Sequence, residues 1–68
     1  MNKYKQPVKV GDEINVDIVN IGEKGDGVAR LDGFVIIVPK GKLEKTYKVS
    51  IKKVFDNFAV SEIIEEVK

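Results

Sequence analysis

The 68-residue sequence contains no cysteine, no histidine and no tryptophan. The absence of cysteine excludes a disulfide framework and a thiolate metal site. The absence of histidine removes the commonest general base near neutral pH and the commonest neutral metal ligand. Because no histidine is available to activate a hydroxyl nucleophile, we expect a protein that is not an enzyme and that holds neither a metal ion nor a cofactor.

Long hydrophobic runs are also missing. The longest apolar stretch, residues 34–38, is far too short to cross a bilayer. The polar N-terminus has no hydrophobic segment of the kind found in secretory signals. We therefore expect no membrane association and a cytoplasmic location.

The composition is sufficient for one small folded domain. Apolar residues make up 43% of the chain, which is typical of a globular protein rather than a disordered tail. A chain of this length can bury only a modest core. We expect residues 8–67 to form a single domain, preceded by a loose basic lead-in over residues 1–7.

The spacing of apolar residues predicts short strands. Residues 13–21 alternate between apolar and polar, which is typical of a half-buried strand. Residues 28–31 and 34–38 predict a hairpin, because Asp32-Gly33 favours a type I′ turn in which both residues have positive φ. The glycines at 25 and 27 predict unusual backbone angles in the preceding turn.

Two further strands follow after Pro39, which cannot donate to a strand ladder. Residues 47–52 alternate between apolar and polar, Asp56-Asn57 predicts a second tight turn, and residues 58–64 are rich in β-branched side chains. A terminal helical turn over 61–67 is an alternative for the end of the chain. Five strands at this spacing predict an all-β fold, a small five-stranded antiparallel barrel.

Charge is unevenly distributed along the chain although the net charge is only +1. Lysines concentrate in residues 1–10 and 39–53, whereas acidic residues concentrate in 11–23 and near the C-terminus. This segregation predicts one basic and one acidic face.

A basic face with aromatic side chains is typical of nucleic-acid binding, because cations contact phosphates and flat rings stack on bases. Arg30 and Phe34 lie close to the first hairpin turn, and Phe55 and Phe58 bracket the second. The candidate phosphate contacts are Lys40, Lys42, Lys45, Lys48 and Lys52. The alternatives are that Phe34 and Tyr47 belong to the core and that the lysines form an ordinary solvated face.

Several segments occur in an order that resembles the TRAM domain. They are Gly11-Asp12-Glu13, the run from Lys24 to Arg30, Gly33-Phe34-Val35, Val38-Pro39 and Asn57-Phe58-Ala59. The resemblance extends over about residues 8–67. It implies an OB-like five-stranded barrel that binds RNA, with the contact positions of the family falling on Arg30, Phe34, Ile37 and Phe58.

Members of this family are often appended to RNA-modifying enzymes, and some, chiefly in archaea, stand alone and are similar to cold-shock RNA chaperones. The resemblance therefore implies a stand-alone, monomeric RNA chaperone of low sequence specificity that binds tRNA, rRNA or structured mRNA and no small-molecule substrate. The acidic residues of 13–17 favour an alternative function, a protein-interaction or ribosome-associated adaptor.

The sequence departs from the family pattern at two places. Ile37 stands where the family often has an aromatic residue, which removes one stacking surface. Leu43-Glu44-Lys45 replaces a Pro-Gly-Glu loop, which changes the shape of the loop and adds a cation.

Overall fold

The computed structural model describes residues 6–68, so that residues 1–5 of the predicted lead-in lie outside the described part of the chain. The described residues form six strands: β1 (Glu13–Asp17), β2 (Asn20–Ile21), β3 (Gly27–Leu31), β4 (Phe34–Val38), β5 (Thr46–Val54) and β6 (Phe58–Val67). They contain no helix that is long and apolar enough to span a membrane.

The six strands form one sheet in the order β1-β5-β6-β4-β3-β2. The first predicted strand is divided into β1 and β2, because the chain leaves β5 at this point and crosses to β3. The Ile18 N–H donates to the Lys45 carbonyl at 2.9 Å, and the Val19 N–H donates to the Val28 carbonyl at 2.9 Å. These two bonds join opposite ends of the sheet, which curls as in a small OB-like barrel.

The prediction of an all-β, OB-like fold is confirmed, with two corrections. The sheet has six strand segments instead of five, for the reason given above. It is also not wholly antiparallel, because β4 and β6 run parallel through the pairs Val35–Phe58, Ile36–Ala59 and Ile37–Val60. The chain passes from β4 to β5 and then returns as β6, which lies between these two strands. Because the chain reverses direction twice on this path, β6 runs in the same direction as β4.

The turns follow from local sequence. Asp32 and Gly33 have φ values of 53° and 81°, which confirms the type I′ hairpin. Gly25 has a φ of 88°, as predicted for that turn, but Gly27 does not adopt a positive φ. Gly27 instead lies against Gly41, where an added Cβ would come within 3.1 Å of the Gly41 backbone.

The core fills the inside of the curled sheet. In β4 the side chains of Phe34, Ile36 and Val38 are buried, and in β5 those of Tyr47 and Val49 are buried. The alternative that placed Phe34 and Tyr47 in the core is therefore correct. At the C-terminus β6 continues to Val67, so the alternative of a terminal helical turn is wrong.

Candidate nucleic-acid interface

The outer face of β3, β4 and β6 carries a mostly apolar surface, which we call the outer strip. It contains Val28 and Arg30 of β3, Val35 and Ile37 of β4, and Phe58 and Val60 of β6. Two rows of paired residues cross these strands, because directly paired residues point to the same face of a sheet.

We call the row closer to the Asp32-Gly33 turn the upper row and the other the lower row. The upper row ends in a cation on one side and an aromatic ring on the other. Arg30 pairs with Val35, and Val35 pairs with Phe58. In the lower row Val28 pairs with Ile37, Ile37 with Val60, and Val60 with Lys53 of β5. Arg30 and Lys53 are exposed, whereas the aliphatic side chains between them are half-buried.

An aromatic pair extends the upper row. The ring centroids of Phe55 and Phe58 are 4.6 Å apart with an angle of 18° between the planes. The turn that carries them is closed by a hydrogen bond of 2.8 Å from the Phe55 N–H to the Phe58 carbonyl. Phe55 is 44% exposed, so that one ring of the pair remains accessible to solvent.

Phe34 does not contribute to the outer strip. It is only 9% exposed and packs in the core, because it has the same parity in β4 as Ile36 and Val38. Its burial favours the alternative of a core residue, and the contact of its ring with a base stays a prediction. Ile37, which the resemblance names as a contact position, has the opposite parity and lies on the outer face.

The lysine-rich loop lies at the opposite end of β4 from Arg30. Arg30 pairs with Val35, whereas the loop begins after Val38, about 10 Å further along the strand at about 3.3 Å per residue. The predicted clustering of Arg30 and the 40–45 lysines around one turn is therefore wrong. The β3–β4 hairpin places Arg30 beside the start of β4, whereas the lysines follow the end of β4.

The predicted separation into a basic and an acidic face is also wrong, because three of the candidate lysines lie beside carboxylates. The Nζ atoms of Lys45, Lys48 and Lys52 lie 3.3, 3.7 and 3.5 Å from carboxylate oxygens of Glu66, Glu13 and Glu62 respectively. The sheet order causes this mixing, since β5 lies between the acidic strands β1 and β6. Within the described residues Arg30, Lys40, Lys42 and Lys53 form no such ion pair.

Sequence reasoning missed four residues of this surface: Val28, Val35, Lys53 and Val60. The parity of Arg30 along its strand predicts Val28 on the same face, and the parity of Ile37 predicts Val35. Lys53 gave no such signal, because the register shift between Ile51 and Lys53 breaks the alternation of β5. In residues 6–68 no group of three or more carboxylate side chains is arranged to hold a metal ion.

Comparison with known proteins adds independent findings. The family model of the TRAM domain matches residues 7–64. The chain is 39% identical to translation initiation factor 2 subunit beta of Thermoplasma acidophilum, over 97% of this chain and 32% of that protein. It is 43% identical to an uncharacterized protein of Methanocaldococcus jannaschii, over 85% of this chain and 75% of that protein.

Other relatives are ribosomal RNA large subunit methyltransferases, of which this chain spans about a quarter. Among solved structures, the solution structure of a conserved protein of Methanococcus maripaludis matches with a TM-score of 0.84 and 37% identity. That match covers 91% of this chain and 89% of the other. The similarity therefore concerns the whole barrel rather than a local motif.

Proposed function

Since the chain belongs to the TRAM domain family, we propose that it is a non-enzymatic protein that binds single-stranded or loop RNA with low sequence specificity. Family membership gives RNA binding at the coarse level. The single observation that carries the finer proposal is the outer strip, an apolar surface bounded by Arg30, Lys53 and the Phe55–Phe58 pair.

The outer strip lies where OB folds bind their ligands. In that fold the second and third strands and the loop between the fourth and fifth strands form the binding surface. Because β1 and β2 together make the first strand of the barrel, the corresponding elements here are β3, β4 and the 55–57 turn. Both rows of the outer strip cross β3 and β4, and the upper row ends at Phe58, directly after the turn.

The chemistry of the outer strip suits unstacked bases of any identity. Bases stack on the exposed face of Phe55 and lie on the aliphatic side chains, while Arg30 and Lys53 contact phosphates. Stacking tolerates every base, since each has a π-face. Arg30 can in addition stack on a base while it donates hydrogen bonds to a phosphate.

A chaperone role follows from weak, reversible binding of this kind. The protein captures unpaired strands of tRNA, rRNA or structured mRNA and releases them, which lets misfolded pairings reopen. The similarity to a translation initiation factor subunit and to ribosomal RNA methyltransferases supports an RNA of the translation apparatus. We place this activity in the cytoplasm and assign it to a monomer.

The proposal is tested by titrating a fluorescently labelled, unstructured RNA with the protein across a salt series. If Arg30 and Lys53 each contact one phosphate, the slope of log affinity against log salt is about −1.4, at about −0.7 per phosphate on a single strand. A slope of zero contradicts the phosphate contacts. A parallel assay follows opening of a labelled RNA hairpin, and binding without faster strand exchange contradicts the chaperone role.

A second candidate function, a protein-interaction adaptor, is favoured by a different surface. Val19 and Leu43 are 57% and 52% exposed and flank a cleft that also contains Asp17 and Glu44. Partners that stay bound after nuclease treatment and are lost on Leu43→Asp support the adaptor. Partners that are lost on nuclease treatment support RNA binding alone.

A further inference from the structure

A groove opens where β4 and β6 separate. Their last pair is Ile37–Val60, after which β4 ends at Val38 while β6 continues to Val67. The resulting groove has a volume of about 510 Å³. Its lining residues are Pro39, Lys40, Lys52, Ser61, Glu62 and Ile63.

The groove continues the outer strip. Phe58, Val60 and Glu62 are spaced by two along β6 and therefore point to the same face of the strand. From Phe58 to Glu62 the strand advances about 13 Å, at about 3.3 Å per residue. A ligand that leaves the aromatic pair along β6 therefore crosses Val60 and enters the groove.

The walls of the groove combine apolar and charged groups. Pro39 and Ile63 provide apolar surface. The Ser61 hydroxyl donates a hydrogen bond of 2.9 Å to the Ile37 carbonyl, which ties β6 to the end of β4 at the edge of the groove. Lys52 is paired with Glu62 at 3.5 Å, but Lys40 forms no ion pair among the described residues.

The backbone holds Lys40 at this position. Lys40 has a φ of 70°, and the turn is closed by a hydrogen bond of 2.9 Å from the Gly41 N–H to the Val38 carbonyl. Lys42 belongs to the same loop and is also exposed, but it does not line the groove. Its N–H donates to the Tyr47 hydroxyl at 3.1 Å, which ties the loop to the core. Lys40 and Lys42 are thus a matched pair for comparison.

From these contacts we propose that the groove is a second nucleotide subsite, in which Lys40 contacts a phosphate of the same strand that stacks on Phe55. This inference rests on the proposed function. The RNA strand runs along the distance of about 13 Å from Phe58 to Glu62, and we expect about four nucleotides to reach from one subsite to the other. That length is at the lower end of the range of site sizes for OB folds, about 4–16 nucleotides.

The test is a length series of labelled oligouridylates from two to eight nucleotides, titrated into the full chain and followed by anisotropy and by amide NMR shifts. We expect the affinity to rise with oligonucleotide length up to four nucleotides. Longer oligonucleotides should gain affinity only because they offer more equivalent binding positions. The dinucleotide shifts resonances of Phe55 and Phe58. The tetranucleotide shifts those of Lys40 and Ile63 as well.

Three variants make the test specific. Lys40→Gln lowers the affinity for the tetranucleotide and reduces the magnitude of its salt slope by about 0.7, the value for one phosphate, without affecting the dinucleotide. Lys42→Gln changes neither. Glu62→Gln raises the affinity for the tetranucleotide, because it removes a carboxylate from the groove and releases Lys52.

A length dependence that stops at two nucleotides overturns the subsite, as do equal effects of Lys40→Gln and Lys42→Gln. If Lys40→Gln disturbs the fold, the length series and Glu62→Gln decide the question independently. Absence of binding at every length is a different result, because it overturns the proposed function itself.

Discussion

The rings of Phe55 and Phe58 stack on each other, 4.6 Å apart and 18° from parallel, across the turn that joins β5 to β6. This contact fixes the orientation of the exposed ring before any ligand binds. At this separation a nucleobase cannot enter between the two rings without parting them. A base therefore adds to the outer face of Phe55, and Phe58 supports it from behind.

Replacement of Phe55 should weaken RNA binding more than it affects the fold. Phe55→Ala removes the accessible ring, and we expect a loss of about 1–3 kcal/mol in binding free energy for an unstructured RNA. Phe55→Leu keeps apolar area without a flat ring and should recover only part of this. Anisotropy with a labelled oligonucleotide measures both effects.

Leu43→Ala is the control for this series, because Leu43 is similarly exposed but lies in the loop between β4 and β5, away from the aromatic pair. It should leave the affinity unchanged. An equal loss for Leu43→Ala and Phe55→Ala would show that general surface hydrophobicity, not stacking, drives binding.

Cations of the outer strip that lack a carboxylate partner should contribute more to the salt dependence of binding than lysines held in ion pairs. Arg30→Gln should reduce the magnitude of the salt slope by about 0.7. Lys45→Gln should reduce it by much less, because Lys45 lies 3.3 Å from Glu66 and a phosphate must compete with that carboxylate. Titrations at four salt concentrations separate the two variants, and a larger effect of Lys45→Gln would contradict the assignment.

The contact between Gly27 and Gly41 should be intolerant of side chains. In Gly27→Ala the new Cβ would lie 3.1 Å from the Gly41 Cα and carbonyl oxygen and from the Ile18 Cδ1 atom. We expect the free energy of unfolding to fall by about 1–3 kcal/mol, the usual cost of overpacking. Urea denaturation followed by circular dichroism measures this change.

Gly22→Ala is the matched control, because its Cβ would meet the Asp26 carbonyl oxygen only at an ordinary contact distance of 3.6 Å. It should be neutral or stabilising by up to about 1 kcal/mol, since alanine restricts the unfolded chain. Similar destabilisation by both variants would mean that the close approach at Gly27 is not the cause.

Glu44→Gly should stabilise the protein. Glu44 has a φ of 69°, a conformation that costs a residue with a side chain about 1–2 kcal/mol and costs glycine almost nothing. Part of this benefit is offset because glycine has a larger conformational entropy in the unfolded chain. We therefore expect the free energy of unfolding to rise by about 1 kcal/mol or less. Thermal unfolding measures it.

Lys42→Gly provides the comparison in the same loop, because Lys42 has no positive φ. It should destabilise the protein by up to about 1 kcal/mol. Destabilisation by both glycine variants would contradict the assignment of strain to Glu44. We thus expect the departure of Leu43-Glu44-Lys45 from the Pro-Gly-Glu loop to lower the stability of the protein, because Glu44 adopts a positive φ at the position of the glycine.

The amino-acid sequence alone determined the local structure of this protein. The apolar run 34–38, the alternation over 47–52, the Asp32-Gly33 turn and the turn at Asp56-Asn57 were readable from the sequence. They were readable because strand patterns and turn geometry depend on residues close together in the chain. The same local patterns carried the resemblance to the TRAM domain and, with it, the expectation of an OB-like barrel.

Only the tertiary structure decided which charges and rings share a surface. The sheet order places β5 between β1 and β6, so that Lys45, Lys48 and Lys52 meet carboxylates that are distant in sequence. The register shift before Lys53 moves that cation to the outer strip. Parallel pairing of β4 with β6 brings Val35 to Phe58 and opens the groove beyond Ile37. Unlike the hairpin register that the Asp32-Gly33 turn sets, these pairings arise from contacts between distant segments, which no local pattern of residues specifies.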